Sequence, residues 1–300
     1  MFDTIRDYIN TVLDFIVRLV NFELVPAIPI AEGTKNTIDW ITSTFSFIFT
    51  PIRVHYSTFM EWTAELIYSV PPIITILVVA VIAYFLTGRK FGLPAFSIVG
   101  LWLIHNQGLW EELMYTFTLV LNASILSVII GVPIGILMAK NNTAEAIIKP
   151  VLDFMQTMPA FVYLLPAVAF FSIGMVPGVF ASLVFATPPT IRFTNLGIRQ
   201  VSKELVEAAD AFGSTGSQKL FKVELPMARA TIMAGINQTV MLALSMVVIA
   251  SMIGAKGLGR EVLSALQRAQ VGPGFVAGIG IVILAIIIDR LTQSVNTKKN

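Results

Sequence analysis

The acidic and basic side chains best placed to do chemistry in this 300-residue chain gather between Leu205 and Pro226, in LVEAADAFGSTGSQKLFKVELP. This stretch is not equipped for covalent chemistry. The chain has no cysteine, which excludes disulfides, zinc thiolate sites and thiol catalysis. Gly213-Ser-Thr-Gly216-Ser-Gln-Lys219 imitates a phosphate-binding loop, but its spacing is wrong and it follows a helix where such a loop follows a strand. His55 and His105 stand apart, with no His, Asp or Glu at metal-ligand spacing, and no nucleophile with a base or pair of carboxylates is visible. No catalytic residue and no metal site is expected, which leaves docking as the chemistry on offer.

The local pattern predicts a helical hairpin. Ser202 is placed to cap a helix from Lys203 to Phe212, and Gly213 falls where a left-handed residue would end it. Leu205, Ala208, Ala209 and Phe212 share one face by their spacing, while Glu204, Glu207 and Asp210 occupy the rest. Thr215 followed by Gln218 has the form of a capping box, opening a second short helix that Pro226 is expected to close. Two alanines let a partner backbone come close, the glycine permits a sharp bend, and Leu225-Pro226 sets the angle of return. Such a shape suits a groove.

The elements that hold this hairpin belong to a membrane protein. Hydrophobic residues make up 56% of the chain and charged ones 13%, against roughly 25% charged in soluble domains; mean hydropathy is +0.81. Twenty basic and 18 acidic residues nearly balance, which speaks against nucleic acid as a partner. The first residues, MFDTIRDYIN, are charged and do not read as a signal peptide. A span needs about 20 apolar residues, and seven candidates appear: 71–88, 91–110, 114–140, 159–175, 177–192, 230–254 and 274–290. The pair 159–175 and 177–192 is expected to meet at a tight Met-Val-Pro-Gly turn, with Pro133 kinking the span before them. Residues 1–70 alternate charge with apolar positions such as Ile5, Ile9, Val12, Leu13, Ile16 and Leu19, as an amphipathic surface helix does. WITSTFSFIFTPI (40–52) is too short to span.

Lys and Arg fix the expected orientation, since inside loops carry the excess. With the hairpin inside, Arg89, Lys90, Lys140 and Lys149 also fall inside, the N-terminus lies outside and the C-terminus is cytoplasmic. Residues 255–274 dissent with Lys256, Arg260 and Arg268, which an amphipathic surface or re-entrant helix burying Leu258, Val262, Leu263 and Leu266 would tolerate. Trp102, Trp110 and Tyr115 flank an outer loop as interface anchors would. Gly131 to Gly135 and Gly274 to Gly278 have the Gly-x-x-x-Gly form, explained equally by close helix packing or by chance. Asn122, Asn237 and Gln238 lie inside predicted spans, where polar groups either bridge helices or line a pathway.

The hairpin's full spacing, Glu207-Ala208-Ala209, three residues, Gly213, nine residues, then Val223-Glu224-Leu225-Pro226, resembles the EAA motif of importer-type ABC transporter permeases, with Val223 for the usual isoleucine. Residues 155–201 and 231–259 are similar to permeases of the glycine betaine and proline betaine importer subfamily, the ProW and OpuAB type, over about residues 70–290. Lys256 stands where that subfamily commonly has glycine. The resemblance implies an all-α polytopic membrane fold of about seven transmembrane helices. In it, 1–70 is an amphipathic extension, 71–110 the first two spans, 111–292 a type I permease core with its EAA loop at 202–226, and 293–300 a cytoplasmic tail.

By the same resemblance, two permease copies form the pathway, an ABC ATPase subunit binds ATP and Mg, and an external binding protein delivers the ligand. Glu207, Ala208, Ala209, Gly213, Leu225 and Pro226 would then contact the ATPase, with no cofactor in this chain. The implied ligand is a betaine-like osmolyte: glycine betaine, proline betaine, choline or a related methylated ammonium or sulfonium compound. Its aromatic cage belongs to the binding protein. Tyr163, Phe170, Phe171, Phe185, Asn237 and Gln238 are the candidate pathway residues. The chief alternative is a secondary transporter driven by an ion gradient; against it stands the lack of an acidic residue deep within a span. A membrane enzyme or scaffold is disfavoured for want of a catalytic constellation.

Overall fold

A computed structural model describes residues 6, 10–14, 17 and 29–297, with side chains as far as Ser294. The amphipathic helix expected around Ile5, Ile9, Ile16 and Leu19 lies largely outside the described residues, as do Lys298 and Lys299. Every regular element among the described residues is helical. Residues up to Phe45 form a unit of their own, whose helix α1 (Ile30–Thr44) carries Glu32 in its first turn and buries no side chain.

From Ser46 onward the helices form a second unit: α2 (Ser46–Ser69), α3 (Pro72–Leu86), α4 (Gly92–Asn106), α5 (Trp110–Lys140), α6 (Asn142–Thr157), α7 (Leu164–Phe171), α8 (Met175–Arg199), α9 (Lys203–Ala211), α10 (Gly216–Lys219), α11 (Leu225–Ser251), α12 (Leu258–Gln267) and α13 (Val271–Thr297). Local chemistry sets several ends. Glu111 and Glu112 sit in the first turn of α5 and Lys140 in its last, each matching the helix dipole. Asn141 then breaks the run in an extended conformation and caps α6, its side chain accepting from the N–H groups of Thr143 and Ala144 at 2.8 and 3.1 Å.

Helix α8 is the centre, packed between α5 and α11. In a bilayer, helices associate through close packing and interhelical hydrogen bonds, so small residues and hydroxyls mark the seams. A Cβ on Gly135 would lie 2.5 Å from Thr194 Cβ and 2.7 Å from the Ile191 carbonyl, and one on Gly235 would lie 2.5 Å from Phe193 Cβ. Gly131 meets Thr190 in the same way, so the first Gly-x-x-x-Gly is a true seam, whereas Gly278 faces open space. Thr187 donates to Ser127 at 3.0 Å, and the Thr190 and Thr239 hydroxyls are 2.7 Å apart. Around these the core fills with Leu119, Val120, Val179, Val240, Leu244, Val247 and Leu258.

The spans differ from the seven expected. Three helices are alone long and apolar enough to cross: Trp110–Lys140, the 36-residue run Gly216–Ser251, and Val271–Ser294. Two bent pairs pass the same test together, α2 with α3 at 92° and α6 with the stretch 160–171 at 108°. Helix α8 falls short on apolarity because protein surrounds it, so Thr187, Pro188, Pro189, Thr190, Thr194 and Asn195 are all buried without meeting lipid.

The expected span at 159–175 is a 3-10 turn (Ala160–Tyr163) followed by the eight residues of α7. The chain reverses at Ser172 and Gly174, with φ of 63° and 142°, and Met175-Val-Pro-Gly opens α8 instead of forming the turn. The stretch 40–52 is divided, its second half continuing through Pro51 into the 24 residues of α2. Trp110 is not an interface anchor: it is buried, edge-on to His105. In α12, Leu258 is buried, but Leu266 points outward at 74% exposure.

Candidate functional site: a helical hairpin and its foot

The hairpin forms as its caps dictate. Ser202 precedes α9, and its Oγ accepts the Leu205 N–H at 3.4 Å while its hydroxyl donates to the Glu204 carboxylate. That bond holds the Glu204 carboxyl below its ordinary range. Gly213 adopts φ +76°, and the N–H groups of Gly213 and Ser214 close the helix end on the carbonyls of Asp210 and Ala209 at 2.9 and 3.0 Å. Thr215 and Gln218 form the reciprocal capping box. Lys219 Nζ reaches back to both oxygens of Asp210 at 2.8 and 2.9 Å, closing the hairpin.

Pro226 does the opposite of what its position suggests. It sits in the first turn of α11, and helix runs without a break from Gly216 to Ser251. A proline inside a helix lacks an N–H and crowds the carbonyl four residues back. Here the turn Leu220–Glu224 is a π-helix, with the Leu225 N–H bonded to the Leu220 carbonyl, and the widened turn accommodates the ring.

The hairpin's apolar face is uncovered. Phe212 is 90% exposed, Phe221 66% and Leu205 43%; Glu207 and Ala208 are exposed and Ala209 is half-buried. Burying such a face on a partner is favourable by about 25 cal/mol per Å².

The foot, by contrast, is packed and charged. Leu220 and Leu225 pack with Ile198, Ala228 and Ile232 of α8 and α11 and with Ile136 and Ala139 of α5. Lys140 ion-pairs with Glu224, whose side chain is 6% exposed. Arg199, at the end of α8, donates to the Met138 carbonyl and to Asn142 Oδ1, both at 2.8 Å, and to Asn195 Oδ1 at 2.9 Å. It also pairs with Glu145 Oε2 at 2.9 Å, while Glu145 Oε1 accepts from Asn195 at 2.9 Å. From sequence, Lys140 counts only as an inside positive charge and Glu224 only as the spacer before Leu-Pro, and nothing pairs them. Lys140 lies 84 positions away, and no local pattern links the two.

The candidate pathway residues fall into three places. Tyr163 is buried, donates its hydroxyl to the Met155 carbonyl and meets Phe185 edge-on at 6.2 Å. Phe170 stacks on Phe49 at 4.8 Å, and Phe171 packs on Phe49 and Phe180 at 5.7 and 5.1 Å beside an apolar groove of about 670 Å³. Asn237 donates to Asp289 at 2.8 Å and accepts from Thr292 at 2.6 Å, bridging α11 to α13, while Gln238 beside it is exposed. Asn122 likewise bridges helices, accepting from Tyr56 at 3.0 Å. Lys256 Nζ lies 5.0 Å from the centre of the Tyr115 ring.

Comparison with known proteins places these features. Residues 131–300 match the family described as binding-protein-dependent transport system inner membrane component. The glycine betaine/carnitine transport permease protein GbuB of Listeria monocytogenes is 57% identical, the alignment covering 91% of this chain and 98% of that one. The glycine betaine transport system permease protein OpuAB of Bacillus subtilis is 50% identical over 91% and 96% of the two chains. The glycine betaine/proline betaine transport system permease protein ProW of Escherichia coli is 48% identical over 89% and 75%. Among solved structures, an inward-facing MetNI methionine ABC transporter superposes with a TM-score of 0.57 at 21% identity, over 65% of this chain and 96% of that one. The last similarity bears on the fold alone.

Proposed function

This chain belongs to the inner membrane components of binding-protein-dependent transport systems, and we propose that it is the pathway by which a betaine-like osmolyte enters the cell. It is a multi-pass permease of the betaine subfamily of ABC importers and not an enzyme; a separate ATPase hydrolyses the ATP. The observation that carries the reading is the hairpin. A finished, doubly capped structure leaves Phe212, Leu205 and Glu207 exposed among the described residues.

The hairpin docks into a groove of the ATPase, with Ala208 and Ala209 allowing close approach, Gly213 the bend, and Leu225-Pro226 the join to α11. ATP and Mg are bound by that subunit. The hairpin side is cytoplasmic, the N-terminus is outside and the C-terminus inside, and a second copy of this chain completes the pathway. An external binding protein supplies glycine betaine, proline betaine, choline or a related compound. Within the pathway the ligand passes Tyr163, Phe170, Phe171, Phe185 and Gln238, with Asn237 holding α11 to α13. The aromatic faces suit a methylated cation.

Co-purification tests the docking. The chain is expected to bring down its ATPase, and Glu207→Arg to weaken that association. An ATPase retained equally by wild type and by the double variant Glu207→Arg, Phe212→Asp would overturn the assignment of this face.

A further inference from the structure

The docking face leaves one conspicuous group of the hairpin unused. Glu224 lies within the π turn, its side chain 6% exposed, and it meets Lys140, the last residue of α5. A buried carboxylate is tolerable only with a partner, so this pair cannot part without penalty. The other limb of the hairpin is tied to the same place: Arg199, three residues before the Ser202 cap, holds the Met138 carbonyl of α5 and Asn142 just beyond it. Both limbs therefore grip one end of α5. The two grips differ in kind. Arg199 has four partners on well-formed helix ends, whereas Glu224 reaches Lys140 by one contact from a π turn, a form that often marks functional adjustment.

Building on the proposed function, we propose that Lys140 and Glu224 are positioning residues that transmit displacement of the docked hairpin into α5, with the π turn as the yielding element. Pulling the hairpin moves Glu224, and the ion pair carries the end of α5 with it. Without the pair, the hairpin still docks and the ATPase still turns over, but the membrane helices do not follow.

The test uses the complex of this chain with its ATPase in lipid vesicles, with the external binding protein and glycine betaine supplied, comparing wild type, Lys140→Glu, Glu224→Lys, the double charge swap, and Glu224→Gln as the mildest change. Each single variant is expected to retain the ATPase and to lower glycine betaine uptake per ATP by at least about tenfold, and the swap to recover to within about threefold of wild type. A second readout needs no ligand. Because the chain has no cysteine, spin labels can be placed at exposed Leu137 on α5 and exposed Val282 on α13. An ATP-dependent change in their separation is expected in wild type and swap and not in the single variants.

The proposal falls if uptake and hydrolysis drop in equal proportion, if the swap is no better than the worse single variant, or if the single variants lose the ATPase. It also falls if Glu224→Gln alone folds and behaves as wild type, or if the label separation ignores ATP in the wild type. A wild-type complex that moves its labels with ATP but imports no betaine overturns the ligand class and leaves the pair's role standing.

Discussion

The backbone N–H of Leu258 donates to the hydroxyl of Thr116 across 2.8 Å, joining the start of α12 to α5 over 142 positions of chain. The same hydroxyl donates to the Glu112 carbonyl at 2.8 Å, so both its roles are filled in a buried place. Thr116→Val keeps the shape and orphans a buried N–H, which costs about 1–3 kcal/mol. Thermal unfolding in detergent is expected to show that loss for valine and little for Thr116→Ser. Gly257→Ala is expected to be worse than either, because its φ is +124° and a Cβ would lie 2.5 Å from Thr116 Oγ1.

The α5–α8 seam gives a paired test. Gly135→Ala pushes a methyl to 2.7 Å from the Ile191 carbonyl, backbone that cannot yield cheaply, and overpacking of this kind costs about 1–3 kcal/mol. Gly278→Ala meets nothing within 4 Å and is expected to leave the unfolding temperature unchanged or slightly raised. Equal effects of the two would show that α8 does not pack as described.

Phe212 separates stability from association. At 90% exposure, Phe212→Ala is expected to change stability by no more than about 0.5 kcal/mol. Retention of the ATPase is expected to fall all the same. A variant that unfolds instead of losing its partner would place Phe212 in the fold and not on a docking face.

Acid is expected to loosen the start of α9. The Ser202 hydroxyl lowers the Glu204 carboxyl below its ordinary 4.5, so this contribution is complete above that value and lost as pH falls through the lowered one. Hydrogen exchange at the first amides of α9 should therefore accelerate, beyond its intrinsic pH dependence, on acidification in wild type. In Ser202→Ala that extra acceleration should be absent, and its presence there would assign the effect to another group.

The hairpin was the most legible part of the sequence because its determinants are local. Ser202, Gly213, Thr215 and Gln218 each act within four residues, and each does what its type and spacing predict. Pro226 was misread because a proline after a short helix normally ends it; the π turn that lets the helix continue leaves no mark in composition. Spans were hard to count for a different reason. Hydropathy reports apolar length and not bends: the run 159–175 is apolar enough to be counted as a span, yet it folds as a 3-10 turn and the short α7 beyond a 108° bend from α6.

Long-range pairs such as Lys140 with Glu224 and Arg199 with Glu145 are invisible in one sequence, since their members lie on different helices. Asp289 shows the same limit. From sequence it has no assigned part, whereas the folded chain bonds its Oδ1 to the side-chain amides of Asn237 and Gln293.

By the proposed function, an ATPase drives import through this chain by way of the hairpin. Uptake of radiolabelled glycine betaine into vesicles holding this chain, its ATPase and its binding protein tests that most directly. Uptake is expected to require ATP, to persist when sodium and proton gradients are collapsed, and to be lost in Glu207→Arg. Uptake by vesicles lacking the ATPase and energised by an ion gradient alone would contradict it.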